Sequence, residues 1–256
     1  MSDIPASAVA SLRARTGVSI LECKKALEES GGNEEQAIEI LRKRGAAQAV
    51  KKAARDQSEG LVFCAAEGGK VALVQLKCET DFVARNEDFQ ALGQDLAQLA
   101  LREGADAAKG ASEQIAAAVQ KLGENISIGD VAVVEGSTVG YYLHTNGKIG
   151  VAIALNGGSP EIAKDVAMHA AAMNPAYVSP EDVPAEAVAK EKEIWTEQLA
   201  KEGKPAQIVE KIMLGKEKKF REENALIKQA FVKNPEQTIS QYLGGATIAR
   251  YVRISV

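Results

Sequence analysis

Apolar positions repeat at helical spacing through residues 4–54. Val9 and Leu12 share one face after Pro5, and Gly17 breaks that helix. Ser19 followed by Glu22 is a capping-box pattern for a second helix reaching Glu29, with Ile20, Leu27 and Leu21 as its apolar residues. Gly31 and Gly32 stop it. Asn33 with Gln36 opens a third helix, carrying Ile38 and Leu41 and expected to end near Gly45. Three helices of this length make a minimal bundle with its own core. Residues 17–21 would present its exposed apolar loop. Adjacent helical residues cannot share a face, so one of Ile20 and Leu21 is expected to join the core. Residues 46–59 are basic and alanine-rich, with Lys51, Lys52 and Arg55 following Arg42, Lys43 and Arg44. No aromatic residue is interleaved to stack on bases, so a solvated helical linker is expected there.

From Gly60 the pattern switches to strand runs and passes through one plan twice. The first copy reads strand 61–65, a turn on Gly68-Gly69, strand 71–76, a helix from about 89 to 102, a helix over 112–122 and a strand at 130–135. The second reads strand 140–144, a turn on Asn146-Gly147, strand 149–155, a helix over 160–173, a helix over 235–243 and a strand at 248–256. Gly-Gly and Asn-Gly are hairpin signals. Even the helix starts echo one another, Ser112-Glu113-Gln114-Ile115 against Pro235-Glu236-Gln237-Thr238-Ile239. The fold class is therefore α+β: an N-terminal three-helix module and two related subdomains, each a small antiparallel sheet with helices on one face.

Between Met173 and Pro235 the second copy carries an insertion bounded by Pro175, Pro180 and Pro184. Two helices are expected in it, at about 185–202 and 205–222, turned by Gly203-Lys204-Pro205. Val188, Trp195 and Leu199 on the first, and Ile208, Ile212 and Phe220 on the second, are roughly heptad-spaced. They predict an antiparallel coiled-coil hairpin. The resulting organisation is 1–54 for the module and connector, 55–139 for subdomain 1, 140–181 with 227–256 for subdomain 2, and 182–226 for the inserted arm.

Residues 78–89 read C-E-T-D-F-V-A-R-N-E-D-F and join a strand to a helix. Such a connection needs only a few polar or turn residues. This one has no Gly or Pro, and it sets Asp81 beside Phe82 and Val83. Phe82 either folds inward to staple the next helix or projects as an interaction wedge. The second copy makes the same connection with a plain turn, Asn156-Gly157-Gly158-Ser159. The scaffold does not need Phe82 for it, which favours the wedge.

Composition narrows the function. The 256 residues are 46% hydrophobic but only 4% aromatic, which suits closely packed alanine-rich helices. A net charge of −4 argues against a general nucleic-acid binder. Cys23, Cys64 and Cys78 have no C-x-x-C spacing and read as free thiols in a reducing cytosol. No signal peptide or membrane span is expected, and the localisation expected is cytoplasmic. Gly69-Lys70 and Gly147-Lys148 are hairpin turns followed by Val and Ile, so neither is a phosphate loop. His144 and His169 have no zinc-ligand spacing, and no metal or cofactor is expected. An enzyme would have to rest on Cys78 or His144. What remains is a binding protein with presented loops and an arm.

Several segments carry a resemblance to a known family: Leu12-Arg13-Ala14-Arg15-Thr16-Gly17, Cys23-Lys24-Lys25-Ala26-Leu27, Cys78-Glu79-Thr80-Asp81-Phe82-Val83-Ala84, K-L-G-E-N-I at 121–126, and Met168-His169. In this order they resemble bacterial elongation factor Ts along the whole chain. The resemblance implies a guanine-nucleotide exchange factor, not an enzyme. It would bind elongation factor Tu in its GDP-bound and nucleotide-free states, without direct contact to nucleic acid or membrane. It also implies a ubiquitin-associated-like N-terminal module. Thr80, Asp81, Phe82 and Val83 inherit the family's displacement of magnesium from the partner's nucleotide site. Arg13, Ile20, Leu21 and His144 inherit partner contacts. Family members often have Gly-Met-Met where this chain has Ser19-Ile20-Leu21, and many continue past the last strand into a helical tail whose contacts are expected to be missing here. A homodimer or a 2:2 complex stays open. The rival from another class is a module that holds a peptide on residues 1–54 and has no use for Phe82.

Overall fold

The structure is a computed structural model and describes residues 4–201 and 205–256. It is α+β, and its contacts divide the chain into two compact units. The first takes in Met1–Val133, Leu143–Gly150 and Ile254–Val256. The second takes in Val134–Tyr142 and Val151–Arg253.

The first unit opens with α1 (Ala6–Thr16), α2 (Ile20–Glu29) and α3 (Glu34–Lys52). Gly17, at φ 66°, closes α1 with its N–H on the Arg13 carbonyl. The Ser19 hydroxyl accepts from the Glu22 amide, and Asn33 Oδ1 accepts from the Gln36 amide, satisfying amides that the first turns of α2 and α3 leave unpaired. Val9, Leu12, Val18, Cys23, Leu27 and Leu41 form the small core.

The third helix does not end near Gly45. It runs on to Lys52, because α3 lies against α7 (Ser112–Leu122) and the missing side chain at Gly45 is what lets it approach. A Cβ there would sit 2.9 Å from Gln120 Oε1 and 3.1 Å from the Ala116 carbonyl oxygen. Packing overrides the weak helix propensity of glycine. Ala49 meets the neighbouring core, and Arg42 pairs with Glu113. Residues 46–52 are thus a docked helix rather than a solvated linker.

Next come β1 (Glu59–Glu67) and β2 (Lys70–Cys78), an antiparallel hairpin in continuous register from Glu59 opposite Cys78 to Glu67 opposite Lys70. β3 (Ser127–Glu135) completes the sheet in the order β1-β2-β3. A one-turn helix α4 (Asp81–Ala84), α5 (Glu87–Glu103) and α6 (Ala105–Lys109) follow β2, and α5 packs on both hairpin strands. Phe89, Leu96, Ala97 and Ala100 of α5 close over Phe63, Val74 and Leu76.

β4 (Thr138–Leu143), β5 (Ile149–Asn156) and β8 (Thr247–Ser255) form a sheet in that order, most of it in the second unit. α8 (Pro160–Met173) buries Ala163, Val166, Ala167, His169 and Ala170. The inserted arm is α9 (Ala185–Lys201) and α10 (Ala206–Glu223). The helices run antiparallel: Arg221, near the end of α10, donates to the Val183 carbonyl just before α9 at 3.0 Å, whereas Lys216, earlier in α10, lies over the Trp195 ring further along α9 at 5.8 Å. Val188, Trp195 and Leu199 are buried as the seam requires, but Ile208 is 48% exposed. The expected turn on Gly203-Lys204 lies outside the described residues.

The helix expected over 235–243 is half right. β7 (Asn234–Thr238) pairs with β6 (Ala230–Phe231), and only α11 (Ile239–Leu243) is helical. Pro235 disfavours helical backbone at Asn234. Thr238 with Gln241 forms the capping box that starts the helix instead. The echo with 112–115 is therefore a likeness of letters, not of structure.

His169 ties α8 to the segment after the arm. Its Nδ1 accepts from the Val232 amide at 3.3 Å, which leaves Nε2–H, 3.0 Å from Gln229 Oε1, as the donor. Gln229 Nε2 in turn donates to the Glu223 carbonyl at the end of α10. Burial holds the imidazole below its usual pKa, against the opposing effect of Gln229. Such a group binds fewer protons folded than unfolded, so its stability contribution is full above the unfolded value of ~6.5 and falls as pH drops through it. The melting temperature is expected to fall as pH drops below about 6.5, with a shallower slope in His169→Gln when thermal melts are recorded over that descent.

Candidate functional site

The connection expected as a loop at 80–83 is a turn of helix between two caps. Thr80 is extended, at φ −128° and ψ 156°, and its hydroxyl accepts from the Val83 amide at 3.4 Å. The Ala84 amide reaches the Thr80 carbonyl and the Arg85 amide the Asp81 carbonyl, at 3.2 and 3.1 Å. Asn86 then caps α5 by accepting from the Asp88 amide at 2.9 Å. Asp81 sits at the positive end of the turn and pairs with Arg85 at 2.9 Å. Both side chains are exposed, so the pair adds little to stability.

The turn has two unlike sides. Ala84 is buried, and Val83 packs against the core under α5. Phe82 is 81% exposed and belongs to no core cluster. The inward staple is excluded.

Under the turn lies a clamp. Glu124 Oε2 accepts from the Glu79 and Thr80 amides, each at 3.0 Å, and its Oε1 accepts from the Thr80 hydroxyl at 2.5 Å. Glu79 accepts from the Asn125 amide at 2.7 Å and from Arg55 at 3.3 Å, and these bonds, the amide first, hold its carboxyl below the usual range. Asn125 is buried and donates to the Arg55 carbonyl at 2.9 Å. Glu124 went unread as a functional residue in the sequence, although K-L-G-E-N-I contains it. Its partners lie more than forty positions away, beyond the reach of any local pattern.

Cys78 ends β2 with its Sγ 3.2 Å from the Thr80 carbonyl oxygen. Burial, and then the charges of Glu124 and Glu59, push this thiol up to about 12. A nucleophilic cysteine needs the opposite shift.

The other expected contacts lie on different elements of the same unit. Arg13 and Ile20 line an apolar groove of about 650 Å³ with Ile4, Val9, Ala10 and Lys24. Ile20 and Leu21 are 56% and 60% exposed, so neither joins the core as one was expected to. They begin α2, whose buried face is Cys23, Ala26 and Leu27. His144 is partly exposed at the start of the β4–β5 turn, where its carbonyl accepts from the Gly147 amide at 2.8 Å. That turn rests on β1 through the Val62 amide and the Gly147 carbonyl at 2.7 Å, and through Lys148 and Glu59 at 2.6 Å.

One residue links the groove's loop to the Phe82 turn. Lys121 lies against Gly17, where an added Cβ would come within 2.5 Å of its Cε, and its ammonium pairs with Asp88 at 2.7 Å. Asp88 follows Asn86 in the first turn of α5. Lys121 thus touches both the residue that closes α1 and the first turn of α5. Among the described residues no group of three His, Cys, Asp or Glu could hold a metal ion, and no helix is long and apolar enough to cross a membrane.

Residues 79–256 match the family described as elongation factor TS. Over 255 residues the chain is 44% identical to elongation factor Ts of Deinococcus deserti, covering 96% of this chain and 97% of the relative. It is 44% identical to that of Marinobacter nauticus, over all of this chain and 92% of the relative. With the Cellvibrio japonicus protein of the same name the identity is 46%, over all of this chain and 91% of the relative.

Proposed function

Because this chain belongs to the elongation factor Ts family, we propose that it is the guanine-nucleotide exchange factor for elongation factor Tu: it binds the GDP-bound partner, displaces magnesium and promotes GDP release during translation elongation. The observation that carries this reading is Phe82, 81% exposed on a turn whose base is clamped. An aromatic ring held out in water gains free energy only when a partner covers it.

In this reading Thr80, Asp81, Phe82 and Val83 press into the partner near its nucleotide site. Magnesium there bridges phosphate oxygens and neutralises their charge. Disturbing its ligands loosens GDP with no covalent step, so the chain needs no catalytic residue, metal or cofactor of its own. Linkage requires that bound GDP weaken the exchange factor by the same factor as the exchange factor weakens GDP. The nucleotide-free partner is therefore the tightly bound form.

Magnitudes show that Phe82 does not act alone. A ten-thousandfold acceleration requires lowering the barrier by about 5.5 kcal/mol. Burying one Phe supplies about 1.5–3 kcal/mol. The remainder falls to the wider interface: the groove with Arg13 and Ile20, then Leu21, and His144 on its turn. In this division of labour residues 1–54 dock and residues 55–139 carry the wedge. Residues 140–181 with 227–256 form the second subdomain, and the arm at 182–226 projects from it.

The test is release of a fluorescent GDP from elongation factor Tu, chased with unlabelled GDP. Substoichiometric amounts of this chain are expected to speed release of the whole bound pool, because each molecule acts repeatedly. Release unchanged at saturating concentration would overturn the reading.

A further inference from the structure

We infer that Glu124 is the positioning residue of the Phe82 turn, an inference that rests on the exchange reading above. α4 has four residues, far below the length at which a helix holds itself in water. Its most apolar side chain, Phe82, contributes little burial. Val83 and Ala84 hold the turn's inner side to the core, and the two residues that precede it, Glu79 and Thr80, are held by Glu124.

The carboxylate uses both oxygens on the two residues that precede the turn. Oε2 takes the Glu79 and Thr80 amides, and Oε1 takes the Thr80 hydroxyl proton. With its proton committed to Glu124, the Thr80 hydroxyl can offer only a lone pair toward Val83, which is the cap that starts α4. Charge-assisted bonds of this kind are shorter and stronger than neutral ones. The chain of contacts therefore runs from Glu124 to Thr80 to Val83, and Phe82 lies between the last two. Glu124 is itself fixed by its neighbour: Asn125 bonds Glu79 through its backbone and the Arg55 carbonyl through its side chain. The α7–β3 connection thus sets the aim of a ring that lies far earlier in the chain. Glu124 touches neither partner nor nucleotide in this scheme; it acts through Phe82.

The experiment combines Glu124→Ala and Glu124→Gln with Phe82→Ala, reading GDP release against exchange-factor concentration. Glu124→Ala is expected to lower the plateau rate about tenfold while the half-saturating concentration shifts less than about threefold. Glu124→Gln keeps one acceptor oxygen and turns an NH2 toward the other donors, so it is expected to fall between Ala and wild type. In the Phe82→Ala background Glu124→Ala is expected to cost less than about twofold more, since both changes remove one effect. An undiminished plateau, or losses that simply multiply, would overturn the inference.

Hydrogen exchange on the free chain gives a second readout that needs no partner. The Val83 and Ala84 amides are expected to exchange faster in Glu124→Ala, with β2 unchanged. Equal protection at Val83 and Ala84 would overturn the inference even if exchange activity were affected. If wild type fails to release GDP, the exchange reading fails, while the amide protection still decides whether Glu124 holds the turn.

Discussion

Phe82→Ala is expected to lower the maximal rate of GDP release from elongation factor Tu about ten- to a hundredfold, with the melting temperature within about 2 °C of wild type. The two halves have one cause. The ring is 81% exposed in the free chain, so removing it deletes almost no contact that folding made. Exposed substitutions of this kind usually change stability by less than about 0.5 kcal/mol. In the complex the same ring is covered, and about 1.5–3 kcal/mol of burial is lost from the state in which nucleotide leaves. Asp81, Val83 and the Thr80 cap are untouched, so the turn itself persists in the variant. A fall of many degrees in melting temperature would instead mean that Phe82 is part of the fold.

Phe89→Ala is expected to do the reverse, destabilising the chain by about 3–5 kcal/mol. Phe89 lies seven positions further on and is 0% exposed. It fills the space between α5 and the β1–β2 hairpin, with the Phe63 ring tilted against it at 6.2 Å between centroids. Its removal leaves a cavity that Leu96, Val74 and Leu76 cannot collapse to fill, because each is already packed. Calorimetric melting is expected to shift down by about 10 °C for a chain of this size. A cost below about 1 kcal/mol would show that the core under the Phe82 turn is looser than its packing indicates. Two phenylalanines in one short segment thus separate function from stability, and the difference between them is burial alone.

How much of this was legible in the sequence depends on how local the cause is. The hairpin turns at Gly68-Gly69 and Asn146-Gly147, the caps at Ser19 and Asn33, and the arm's seam at Val188, Trp195 and Leu199 follow from patterns a few residues long, and the fold has them. The end of α3 does not, since Gly45 reads as a stop until α7 is placed against it. Pro235-Glu236-Gln237 carries the letters of a helix start, but the capping box that decides is Thr238 with Gln241. At the candidate site, Phe82 was singled out by comparing two halves of the chain, and its exposure agrees with the wedge reading. The one-turn helix beneath it was missed because four residues carry too little periodicity to declare a helix. Glu124 was missed because its partners, Glu79 and Thr80, are remote in sequence. A rule for helix interiors puts one of Ile20 and Leu21 in the core, whereas the family resemblance implies partner contacts for both. At the first two positions of α2 neither faces the bundle.

The measurement that bears most directly on the wedge is stopped-flow release of fluorescent GDP from elongation factor Tu, with wild type and Phe82→Ala, over a series of magnesium concentrations. Strong acceleration by wild type, much reduced in the variant and shrinking toward nothing as magnesium is withdrawn, is expected if the Phe82 turn works by displacing the metal. Equal acceleration by both proteins at every magnesium concentration would contradict it.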